Sequence, residues 1–197
     1  ENDCDVSSLS SFKKERGIWA WECSNFEQTK KLNETLPHHL IALAMNSSDD
    51  DIKIDKAIIS QHIDFLSLKL LPLDYKWVSP NNLRLGLKNC YLQSQQLIDK
   101  FMKRMQTTVK PIVVSECSYP RDKMFRLPMS STSSRDSYFS FVINYKHSVF
   151  GRSLGGVFFQ QWELPPTEDN EKHLTAFSLY PSDLSTLELI TKAVSNK

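Results

Sequence analysis

The chain carries almost no net charge. Its 24 Lys and Arg against 23 Asp and Glu leave a formal +1, so bulk electrostatics point to neither nucleic acid nor an anionic membrane as a partner. No apolar run is long enough to cross a bilayer. The four cysteines, Cys4, Cys23, Cys90 and Cys117, show no CxxC spacing, which argues against a zinc site. Three adjacent aspartates, Asp49 to Asp51, lack the Gly and the Glu of an EF-hand loop and read as a solvated loop. Neither a metal nor another cofactor is expected. An initiator Met and a signal peptide are also missing, so a processed product, an internal fragment or a trimmed piece is expected.

What is present is an ordinary globular composition. Hydrophobic residues make up 40% and charged residues 24% of 197, which suggests one domain. A chain of this length can bury roughly 70% of the surface it exposes when unfolded. Two sequons occur, at Asn33 and Asn46. Together with an even number of cysteines they suggest a secreted glycoprotein carrying glycans at those asparagines and one or two disulfides. The cysteines allow three pairings, and the sequence does not choose among them.

Residues 1–11 are polar and Ser-rich and are expected to be a flexible lead into a domain over 12–197. From there, apolar runs alternate with helical patterns. Strands are expected over 17–23, 38–45, 63–71, 111–116 and 157–162. Helices are expected over 26–36, 52–62, 82–107, 136–150 and 184–194, the last opened by Ser182 and Asp183 as a cap. In the longest helix Leu87, Tyr91, Ile98, Phe101 and Met105 recur at helical spacing and form one apolar face. Regular alternation of buried strands with helices implies a parallel sheet with right-handed crossovers. The pattern gives five βα units, and a closed barrel takes eight.

One stretch organises the rest. KPIVVSECSYPRD, Lys110 to Asp122, has four apolar residues from Pro111 to Val114, as in a strand buried on both faces. Glu116 sits at its end, and Pro120 then opens a long loop over 118–134. A buried carboxylate costs several kcal/mol, on the order of other buried polar groups, unless it is paired. The carboxyl end of a buried strand is also where α/β barrels keep their chemistry. A structural Glu bonded to loop amides and a functional one both remain open on pattern alone.

In register, the strands resemble a known family. FKKERGIWAWECSNFE, Phe12 to Glu27, resembles the fourth barrel strand of endo-β-1,4-mannanases of glycoside hydrolase family five, which runs Met-Ala-Trp-Glu and then Leu-Ala-Asn-Glu-Pro. IDFLSLKLLPLDYKWVSP, KPIVVSECSYPRD and GVFFQQW are similar to the sixth, seventh and eighth strands, and LYPSDLSTLELI to the closing helix. The resemblance covers roughly residues 12–195 and implies an α/β fold: a partial (β/α)8 TIM-type barrel holding strands four to eight. Strands one to three would then come from a second chain or other subunit, or have been cut away. The open edges of the first and last strands would invite that pairing.

The family's retaining mechanism takes two carboxylates about 5 to 5.5 Å apart, a nucleophile and an acid/base. By resemblance Glu116 falls on the nucleophile, Asn25 on the Asn before the acid/base, and Phe26 on the acid/base itself. A phenyl ring donates no proton, and loss of general-acid help costs on the order of 100- to 10,000-fold. Lys69 stands where the family has His, Leu71 and Gln160 where it has Trp, and Cys117 and Ser118 where it has Phe-Gly. Tyr75, Trp77 and Trp162 remain as aromatic surfaces for stacking on sugar or for core packing. Glu27, one position on, is an alternative acid, and Glu22 matches a non-catalytic Glu. An ion pair between Lys69 and Glu116 is expected to satisfy both charges and to retire the catalytic centre. Three functions follow as expectations: a secreted pseudoenzyme serving in binding or structure, a β-mannanase working through Glu116, and a lectin-like binder of β-mannan or related glycans.

Overall fold

The structure, a computed structural model, describes residues 10–13, 19–35, 40–105, 110–145, 154–163 and 174–195. Cys4, the predicted helical residues 146–150 and residues 164–173 lie outside the described residues. Among the described residues six strands form one sheet in sequence order: β1 (Ser10–Lys13), β2 (Trp19–Cys23), β3 (Leu40–Met45), β4 (Phe65–Leu70), β5 (Ile112–Cys117) and β6 (Gly156–Phe159). From β2 to β6 every pairing is parallel. Between them lie α1 (Phe26–Thr35), α2 (Asp51–Ile59), α3 (Leu83–Arg104) and α4 (Ser133–Ile143), and α5 (Leu184–Ser195) closes the chain. This is the predicted α/β fold with a parallel sheet.

The alternation along each strand explains the layering. Leu43, Met45, Leu66, Leu68, Leu70, Ile112 and Val114 point to one face and form the main core. The predicted stripe of α3 covers it, with Ile98, Phe101 and Met105 buried and Leu87 and Tyr91 packed at the margin. Tyr138, Phe139 and Val142 of α4 join the same core. Gly86 lets α3 approach the loop after β4, because a Cβ there would stand 2.4 Å from Val78 Cγ2. Helix starts follow local capping. Asn25 Oδ1 accepts the Gln28 amide at 2.9 Å at the head of α1, and Asp50 Oδ1 accepts the Lys53 amide at 2.7 Å at the head of α2.

The sheet is curled. The side chain of Glu22 on β2 meets Ser67 on β4 and Ser115 on β5. In a flat sheet β2 and β5 would be about 14 Å apart, three spacings of about 4.8 Å, beyond the reach of these two side chains. The inner face is therefore concave.

Two expectations are corrected. Ser10–Lys13 is a strand, and it pairs antiparallel with β2, Ser10 opposite Glu22 and Lys13 opposite Trp19. The β2 edge that was expected to stay open is thereby covered, which relieves its unpaired amides and carbonyls. Disulfides are the second correction. Cys90 and Cys117 are buried free thiols, and no disulfide joins the described cysteines. Both lie inside the apolar core, where they pack as small hydrophobes. The expected cap position before α5 is kept: Asp183 stands directly before Leu184, and its carbonyl accepts the Leu187 amide at 2.9 Å. Its side chain is buried, and Oδ2 accepts from Arg121, from Arg135 at 2.8 Å and from the Tyr180 amide at 3.0 Å. Both guanidiniums are fully buried. The cluster fastens α5 to the loop after β5 and to α4.

Candidate functional site

Strict alternation along β5 would send Glu116 outward, into the apolar layer beside Val114. A β-bulge prevents this. Leu68 pairs with Val114, the next residue Lys69 pairs with Glu116, and Ser115 is the extra residue. Glu116 thereby joins Ser67 and Lys69 on the concave side, while Cys117 returns to the core.

There Lys69 Nζ donates to Glu116 Oε1 at 2.6 Å. The two side chains are 27% and 31% exposed, so the pair faces a partly wet cavity. Tyr75, on the loop after β4, lies against the pair and donates to the Lys69 carbonyl at 3.1 Å. Burial, then the negative charge of Glu116, pushes the Tyr75 phenol up to about 12. Its ring meets that of Trp77 at 4.9 Å between centroids and 56° between planes. Trp77 also packs on the main core and lines a groove of about 540 Å³ with Asp74, Lys76 and Phe177. Beneath the pair, Glu22 is nearly dry at 7% exposure and accepts from Ser67 Oγ and, at 2.9 Å, from Ser115 Oγ.

The remaining predicted positions sit as follows. Phe26 is the first residue of α1, half-buried, with its ring against the main core. Asn25 is exposed and spends its side-chain oxygen on capping that helix. Glu27 is exposed in the first turn of α1. Trp162 is 55% exposed and bridges by its backbone to Leu179. Gln160 follows β6, its amide donating to the Cys117 carbonyl at 3.2 Å. Leu71 accepts the Tyr75 amide at 3.0 Å, which turns the chain after β4. Asn46 is exposed in the loop after β3, whereas Asn33 is half-buried in α1 with its Nδ2 3.1 Å from His62 Nδ1.

Lys69, Glu116 and Tyr75 thus come together, with Trp77 in ring contact. The partners of Glu22, Ser67 and Ser115, were not singled out from the sequence. Their signal was a polar residue at alternate positions of otherwise apolar strands. Among the described residues no group of three His, Cys, Asp or Glu side chains is placed to hold a metal ion. No described helix is long and apolar enough to cross a membrane. The chemistry on offer at the pair is a carboxylate whose charge is already matched. Burial drives the Cys117 thiol beside it well above its ordinary range, which disfavours the thiolate.

Comparison with known proteins gives a consistent picture. The family model described as GH family 5 beta-mannosidase-like matches residues 10–173. The glycoside hydrolase family 5 mannosidase from Rhizomucor miehei superposes with a TM-score of 0.74 at 21% identity, over 90% of this chain and 50% of its own. A mutant of that protein in complex with mannosyl-fructose gives a TM-score of 0.72 at 20% identity, over 89% and 50%. The hyperthermostable endo-1,4-beta-D-mannanase from Thermotoga petrophila gives 0.57 at 18% identity, over 87% and 50%. This chain spans about half the length of each of those structures. No curated protein sequence matches it.

Proposed function

We propose, from the premise that this chain belongs to the β-mannosidase-like proteins of glycoside hydrolase family 5, that it is a carbohydrate-binding member in which hydrolysis is impaired. The contact of Lys69 Nζ with Glu116 Oε1 at 2.6 Å carries the proposal. It occupies the nucleophile position with an internal ion pair. The substitution of Phe26 at the acid/base position points the same way, since no proton donor stands there. Tyr75, which lies against the pair, and Trp77, whose ring is tilted against that of Tyr75, would supply the sugar-facing surface.

The proposal extends to architecture and setting. The described strands from β2 onward correspond to strands four to eight of a barrel. A second chain or further segment supplying strands one to three would meet β6 directly, but would meet β2 only by displacing β1. In a secretory setting, Asn46 is the better placed of the two sequons to carry a glycan, being exposed on a loop.

The test is calorimetric binding of manno-oligosaccharides together with hydrolysis of β-mannan, in the parent and in Glu116→Gln. Binding with no Glu116-dependent turnover is expected. Hydrolysis in the parent that Glu116→Gln abolishes would overturn the proposal in favour of an active β-mannanase. Absence of binding would remove its carbohydrate-binding part.

A further inference from the structure

We infer that Glu22 is a positioning residue: through Ser115 it holds the bulge that turns Glu116 into the cavity. This rests on the reading of the Lys69–Glu116 pair given above and says what keeps that pair in place.

The bulge is seen from both neighbours of β5. Against β4, one step from Leu68 to Lys69 matches two steps from Val114 to Glu116. Against β6, two steps from Val157 to Phe159 match three from Val114 to Cys117. The extra residue breaks the ladder on both sides, so its conformation needs support from elsewhere. The support comes from the far side of the sheet. Ser115 Oγ donates to Glu22 Oε1 at 2.9 Å, and the same oxygen accepts Ser67 Oγ from the unbulged strand β4. One carboxylate oxygen therefore ties the bulged residue to its regular neighbour.

The tie serves both ends. Glu22, at 7% exposure, needs such donors, because a buried polar group without them is costly. If Ser115 lost its hydroxyl, the extra residue would no longer be pinned inward. Glu116 could then relax towards the regular alternation and away from Lys69.

The experiment reads Lys69 rather than any ligand. Acetylation of Lys69 by acetic anhydride is followed by peptide mass spectrometry in the full chain, with exposed Lys192 as internal reference. Glu116→Gln frees Nζ and sets the upper limit. A half-exposed pair worth up to about 1 kcal/mol corresponds to a rise of about three- to fivefold. Ser115→Ala is expected to approach that limit, Ser115→Thr to restore the parental rate, and Ser67→Ala to leave it unchanged. Ser67→Ala removes an equivalent hydrogen bond in the same layer, so a merely structural role would move both alanine variants alike. Should Ser115→Ala not fold, Glu22→Gln serves instead and is expected to raise the rate part of the way. A parental rate in Ser115→Ala, or in Glu22→Gln if that is the variant used, beside a clear rise in Glu116→Gln overturns the inference alone. No rise in Glu116→Gln overturns the reading of the pair, and this inference with it.

Discussion

On the proposed reading two lesions stand at the site, and their sizes differ enough to be told apart. The Lys69–Glu116 pair is 27% and 31% exposed, so it is worth at most about 1 kcal/mol, about fivefold in rate. A missing general acid costs on the order of 100- to 10,000-fold, about 3 to 5 kcal/mol. Phe26→Glu is therefore expected to raise hydrolysis of a manno-oligosaccharide by on the order of 100-fold over the parent. Lys69→His alone is expected to gain no more than about fivefold, and the pair of changes to gain roughly the product. The new Glu is tolerable on stability grounds. Phe26 is only half-buried, so losing its ring costs about 2 kcal/mol, roughly half of a full burial. An acid in the first turn of α1 recovers a few tenths from the helix dipole, roughly. The assay is reducing-sugar release from a manno-oligosaccharide beside aryl β-mannoside cleavage with a leaving group that needs no proton. In kcat/KM, which reports glycosylation, Phe26→Glu should help the first substrate and leave the second nearly unchanged, the gain on the second being confined to deglycosylation. An equal gain on both substrates, or a larger gain from Lys69→His than from Phe26→Glu, would refute the reasoning.

The other predictions concern the frame and its titration. Asp183→Asn leaves two buried guanidiniums without their charge partner and is expected to cost about 3 kcal/mol, lowering Tm by about 6 to 12 °C. Burial pushes the Asp183 carboxyl up, but Arg121, the Tyr180 amide and Arg135 outweigh burial and hold it below its ordinary range. Its stabilisation is therefore present above the unfolded value and lost as pH falls through the folded one, so parent and variant should converge in acid. Thermal scans at neutral and acid pH check this, and an unchanged gap would contradict it. Tyr75, pushed up to about 12, contributes stability below its unfolded value that is lost as pH rises through the folded one. Glu116→Gln should bring the phenolate absorbance of Tyr75 to a lower pH, and an unmoved titration would mean that Glu116 is not its neighbour. Gly86→Ala places a methyl 2.4 Å from Val78 Cγ2 and should cost about 1 to 3 kcal/mol. Val78→Ala in the same chain should recover part of that loss, and simple additivity in urea unfolding would rule the clash out.

Periodicity carried most of the architecture. Five strands and five helices were legible because buried parallel strands are continuous apolar runs and the helices keep apolar stripes. Their ends were less so: α4 begins at Ser133, three residues before the predicted start, inside what read as loop. β1 was not legible, since Ser-Ser-Phe-Lys carries little strand pattern and is a strand only because the β2 edge demands a partner. The disulfides were inferred from cysteine parity, which says nothing about burial, and Cys90 and Cys117 turned out to be core residues. The Arg121–Arg135–Asp183 cluster was hidden because its members lie far apart in sequence and only folding brings them together.

At the site, the sequence identified which residues meet but not how they are able to meet. Lys69 and Glu116 could be paired on paper from charge alone, as two ions that each need a partner on buried strands. On strict strand parity, however, the pair should not form. Lys69 shares the parity of Ser67 and lines the cavity, whereas Glu116 shares the parity of Val114 and should enter the core. A single inserted residue, Ser115, reverses the second parity and so brings two charges from adjacent strands to 2.6 Å. The same geometry that aims a carboxylate at a sugar therefore aims it equally well at an ammonium group on the neighbouring strand. On the proposed reading, a cation at position 69 removes the net charge and an aromatic ring at position 26 removes the proton, and together they turn such a centre into a neutral binding floor.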